Sequence, residues 1–137
     1  MKIEVSNGEL LDKLSILELK KANIADTNKL VNIKKEWGEL LPLAEELFES
    51  NGSELQNYYL ELASINSRLW GIEDDIRECE RNKDFGSKFV ELARSVYITN
   101  DNRCEVKKLI NILTGSGLIE EKSYEDYNQT LLNKKLK

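Results

Sequence analysis

The stretch Leu55–Cys79, LQNYYLELASINSRLWGIEDDIREC, decides the fold. Leu55, Tyr58, Leu62, Ile65, Leu69, Ile72, Ile76 and Cys79 recur in steps of three and four without a slip. Helices place residues at that spacing on one face, whereas strands need a period of two. The run predicts a coiled-coil-like helix over residues 53–82, roughly 40 Å long. Ser53 and Gln56 have the spacing of a capping box at its start. "NKDF" then makes a short turn, and a short turn makes the next helix an antiparallel neighbour.

That next helix, 85–113, has a stripe that begins Phe89, Leu92, Ala93 and Val96. It continues as Asn100, Arg103 and Lys107 before returning to Ile110 and Leu113. Val90, Ile98, Leu109 and Ile112 form a second, thinner apolar line on its far side, which suits an inner helix or a subunit contact. Gly115 is placed for a left-handed C-cap. Upstream, Ser6 and Glu9 have capping-box spacing ahead of Leu10, Leu11, Leu14 and Leu17, giving a helix over 8–25. "KIEV" before it reads as a short extended segment. Asp26 or Thr27 can cap a helix over 27–49, in which Pro42 stands four residues after Gly38 and either kinks or breaks it. "SNGS" (50–53) is a turn. Ser123 and Asp126 predict a short C-terminal helix over 123–134. The expectation is one all-α domain, 1–137: an antiparallel bundle built on a long helical hairpin.

Composition excludes several function classes. The 137 residues hold no histidine, so Ser-His-Asp and Cys-His mechanisms are closed to a single chain. The net charge of −5 argues against a whole-domain nucleic-acid binder. No run of 18 apolar residues provides a membrane span, and the N-terminus lacks the apolar region of a signal peptide. Cys79 and Cys104 lack metal or redox spacing and are expected as free thiols in a reducing cytoplasm. No cofactor is expected.

Folding the hairpin at Lys83–Phe85 brings together residues whose numbers sum to about 169. Asn66, Glu73, Asn100, Arg103 and Lys107 then converge at mid-length, with Trp70 and Tyr97 at the margin. One reading is a buried network that fixes register. The other is a ligand site, with Arg103 and Lys107 gripping an anion or sugar and Glu73 as base. The same fold sets Asp75 beside Arg94 as a cross-hairpin ion pair. Glu45, Glu46 and Glu49 match half of the Mg²⁺ motif of all-helical nucleoside-triphosphate pyrophosphohydrolases, and the partner motif is missing. No metal site is expected otherwise.

"SNGELLDKLSILELK" (6–20), "LWGIEDDIR" (69–77), "ARSVYITNDNRCEVKKLIN" (93–111) and "EEKSY" (120–124) carry a wider likeness. Across nearly the whole chain they resemble a family of short helical proteins of bacteria and phages, a domain of unknown function. Some members are associated with cell-surface polysaccharide gene neighbourhoods, which is a context and not an activity. The resemblance implies no catalytic residues. The leading expectation is a non-catalytic cytoplasmic interaction or assembly module. It would pair with itself as a homodimer, or with another protein, through the second face of the 85–113 helix or the first helical hairpin.

Overall fold

The computed structural model describes residues 1–127, and among these the regular structure is three helices. α1 spans Asn7–Asn23, α2 Thr27–Arg81 and α3 Ser87–Thr114. Residues 1–6 form no regular element, so the extended segment expected at "KIEV" has no strand partner. The chemistry at the helix ends explains where they fall. Ser6 Oγ accepts the Glu9 amide at 3.1 Å, and Asp26 Oδ1 accepts those of Asn28 and Lys29, satisfying orphan donors at the starts of α1 and α2. α2 and α3 both end in left-handed turns, at Lys83 (φ 56°) and Gly115 (φ 63°). In each, the following amide bonds back five residues, Asp84 to Cys79 and Ser116 to Asn111, at 2.9 Å, as a Schellman motif requires.

Two helices expected over 27–49 and 53–82 are one element, α2, bent at Gly52. Gly52 has φ 65° and ψ −148°, a region open in practice to glycine alone. The bend is sharp. Phe48 and Tyr59 make an edge-on ring contact at 5.3 Å, whereas eleven residues of straight helix would separate them by about 16 Å. The two expected helices are the two legs of α2, which join across the kink at Gly52 without an intervening loop. The helix also runs through Pro42 without stopping.

The core forms where α1, both legs of α2 and the second half of α3 meet. Leu11, Leu14, Ala44, Leu55, Tyr59, Leu62, Ile65, Val106 and Ile110 are buried together. Each large aliphatic side chain buried there contributes about 1.5–3 kcal/mol. The predicted seam faces inward along its length: Leu55, Leu62, Ile65 and Cys79 are buried, and Tyr58, Leu69, Ile72 and Ile76 are half-buried. Cys79 and Cys104 are free thiols.

The C-terminal helix expected over 123–134 is a further correction. Residues 118–127 run as an irregular strap back along α3, and the rest of that prediction lies outside the described residues. Ion pairs Lys107–Glu120 (3.9 Å) and Lys108–Glu121 (3.8 Å) and a Tyr97–Tyr127 ring contact at 5.4 Å hold the strap. Among the described residues no helix is long and apolar enough to cross a membrane.

Candidate functional site

The polar stripe of α3 meets α1. The two helices run antiparallel, and their contact is a ladder of polar pairs. Asn7 Nδ2 donates to Thr114 Oγ1 at 2.9 Å, and the Gly8 amide donates to Asn111 Oδ1 at 2.6 Å. Lys107 Nζ reaches Glu9 Oε2 at 2.6 Å, and Arg103 forks onto Asp12. The helices touch most closely at Gly8, where an added Cβ would stand 2.5 Å from the Lys107 carbonyl oxygen. Glu9, expected to reach back to its own helix cap, serves Lys107 instead.

Asp12 is the hub. It is fully buried, one turn after Gly8 on α1. Oδ1 accepts from Asn66 Nδ2 and from Arg103 Nε, both at 2.9 Å, and Oδ2 takes Arg103 Nη2. Asn66 also donates to Ser15 Oγ at 2.6 Å, and Arg103 Nη1 donates to Asn100 Oδ1 at 3.3 Å. A bidentate guanidinium–carboxylate pair with its remaining sites hydrogen-bonded is the arrangement that offsets the cost of burying two charges. The hydrogen bonds to Asp12 hold the Arg103 pKa above its ordinary value, against the opposing effect of burial. Arg103 is therefore a permanent cation.

Asn66, Trp70, Glu73, Asn100 and Arg103, singled out from the sequence, all line one surface cleft of about 650 Å³. Ile16 and Leu19 of α1 form its opposite wall. The other two candidates lie elsewhere. Tyr97 is exposed against Tyr127, and Lys107 lines a second cleft of about 450 Å³ beneath the strap. Glu73 lines the same cleft as Arg103 but is exposed and paired with Arg77 one turn along its own helix rather than with Arg103. Asp75 does not meet Arg94, which pairs with Glu91 at 3.0 Å.

The cleft's electrostatics oppose the anion reading. Arg103 and Arg77 face Glu73 and Asp74 at the lining, with Asp12 directly behind Arg103. Two cations against three carboxylates leave the cleft slightly negative. Glu45, Glu46 and Glu49 are all exposed on α2, and among the described residues no group of three or more His, Cys, Asp or Glu could hold a metal ion.

Sequence reasoning missed Asp12, Glu9, Gly8 and Asn111. A signal was present: Gly8, Asp12 and Ser15 recur at helical spacing beside the leucine stripe, matching Asn100, Arg103, Lys107 and Asn111 on α3.

The chain belongs to a family of unknown function, DUF6165, whose model matches residues 1–131. No curated protein and no solved structure matches the chain.

Proposed function

We propose that this member of the family is a non-catalytic helical interaction module of the cytoplasm. The observation that carries the reading is the internal use of the two cations of the α3 polar stripe. Arg103 is taken by Asp12 and Lys107 by Glu9, so neither cation is left to grip a substrate. Glu73, the candidate base, stands in water beside Arg77. Meanwhile the second apolar line of α3 is uncovered: Ile98 is 37% exposed, Leu109 40%, Val90 50% and Ile112 61%. Apolar surface left in a row on a helix is the raw material of a protein contact.

A second reading is favoured by one observation, the convergence of Asn66, Trp70, Asn100 and Arg103 on a single cleft. It makes the cleft a site for a small polar ligand, with Trp70 as a flat wall and the amides as hydrogen-bonding groups. Titration with a panel of sugar phosphates and nucleotides, followed by tryptophan fluorescence, separates the two. The module reading expects no saturable change. A saturable signal that disappears in Asn100→Ala at unchanged unfolding free energy overturns it in favour of the cleft.

A further inference from the structure

We infer that the cleft between α1, α2 and α3 docks an arginine side chain of a partner protein, stacked on Trp70 and held by Asp74. The inference rests on the module reading and gives it a contact point and a partner chemistry.

The charges at the cleft cancel in pairs, with one exception. Arg103 is spent on Asp12, and Arg77 on Glu73. Asp74 lines the same cleft, is exposed, and makes no hydrogen bond or ion pair among the described residues. The uncompensated group is therefore a carboxylate, and it selects a cation. Trp70 stands one turn before Asp74 on α2, and residues four apart share a helix face. An indole ring beside an unpaired carboxylate matches a guanidinium. The flat face of the cation stacks on the ring, and its N–H edge forks onto the two carboxylate oxygens. A lysine ammonium offers neither the flat face nor the fork.

The rest of the cleft suits the chain that carries such a side chain. Trp70 is half-buried and lines the cleft, so part of its ring is offered to a ligand. Ile16 and Leu19 on α1 and Val96 on α3 are apolar walls for the methylene stem and for an aliphatic neighbour. Asn100 gives its Oδ1 to Arg103, which leaves its side-chain N–H groups to donate to a peptide carbonyl. The volume of about 650 Å³ is that of a small-ligand site, room for one long side chain and the backbone beside it. The net charge of −5 draws a basic segment toward the molecule and disfavours an acidic one.

Two-dimensional ¹⁵N NMR of the full chain tests this through the indole N–H signals of its two tryptophans, assigned with Trp37→Phe. Trp37 packs under Lys21 away from the cleft and is the internal control. The probes are N-acetyl-Leu-Arg-Leu-amide and the same peptide with citrulline or glutamate at the centre. The arginine peptide is expected to shift the Trp70 signal saturably and to leave Trp37 unmoved. Citrulline keeps the shape and loses the charge, so it should bind about tenfold or more weakly. Asp74→Asn should weaken the arginine peptide by a similar factor at unchanged unfolding free energy, because the position is exposed. Parent-like affinity for the citrulline peptide, or in Asp74→Asn, overturns the cation as the recognised group. A glutamate peptide that binds more tightly than the arginine peptide overturns the charge argument. No saturable Trp70 shift up to about 20 mM arginine peptide overturns the cleft as the docking site. The module reading is decided separately, by the titration with sugar phosphates and nucleotides.

Discussion

α3 is held on its two inner sides by opposite materials. Against α2 it presents Phe89, Leu92, Val96, Val106, Ile110 and Leu113, an apolar seam interrupted in the middle. Against α1 it presents Arg103, Lys107, Asn111 and Thr114, each joined to it by a hydrogen bond or an ion pair. The apolar seam is the source of net stability, since burial of aliphatic surface is favourable wherever the side chains land. The polar seam is close to neutral in net energy but intolerant of error, because a buried charge without its partner is expensive. One side makes the bundle stable and the other makes it unique.

That contrast can be broken most severely at Arg103. Arg103→Leu leaves Asp12 buried without its main partner and is expected to lower the unfolding free energy by about 3–5 kcal/mol in denaturant melts. Adding Asp12→Leu to the same chain should return part of that loss, since two well-packed aliphatic groups can replace a buried pair. A single variant as stable as the parent contradicts the division of labour between the seams. On the apolar side, Leu62→Ala removes a fully buried side chain and is expected to cost about 2–5 kcal/mol. No second-site change in α1 should rescue it, because its loss is a cavity and not a mismatch.

Gly8→Ala is smaller in atoms but probes the closest approach. The added methyl meets the Lys107 carbonyl, so α1 must shift off α3, at an expected cost of about 1–3 kcal/mol. Hydrogen exchange should localise the loosening to the first turns of α1 and the last turns of α3.

The smallest effect near neutral pH is at Tyr59. Burial, reinforced by the charge of nearby Glu18, raises its phenol pKa above the ordinary value. The folded state therefore keeps this proton where the unfolded chain has lost it. This contribution is fully present below pH about 10 and declines above it, by up to about 1.4 kcal/mol per pH unit. Tyr59→Phe should leave stability at neutral pH within about 1 kcal/mol of the parent and flatten the alkaline decline. An alkaline profile identical in parent and variant counts against Tyr59 as its source.

Much of this was legible in the sequence, for local reasons. Ser6, Asp26 and Gly115 mark helix ends, and the "SNGS" turn marks the kink inside α2, because capping and left-handed turns are chemistry within four or five residues. The Leu55–Cys79 seam was legible because burial imposes a period. What one period cannot reveal is which helix answers which. Of the stripe at Asn100, Arg103 and Lys107, the first two share a cleft with Asn66 and Trp70, but Lys107 pairs with Glu9 instead, and Arg103's main partner also lies on α1 rather than in the hairpin. The hub, Asp12, lay on a helix read only for its leucines. The strap was misread because Ser123 and Asp126 satisfy a capping pattern. Residues 118–127 are tied to α3 by charge pairs and a tyrosine contact instead, and tertiary contacts of that kind override local preference.

The ladder between α1 and α3 also sets a problem of alignment. Slide α1 by one turn in either direction and opposite charges still face each other. Glu9 meets Arg103 in one slip, and Asp12 meets Lys107 in the other. Charge alone therefore reads like a ruler whose divisions are all the same. Gly8 supplies the zero mark. Any slip of one turn brings Glu4 or Asp12 to the Lys107 carbonyl, and each carries the Cβ that the gap has no room for. The alignment of the whole bundle is thus encoded in a vacancy, by the one residue on that face that contributes nothing to fill it.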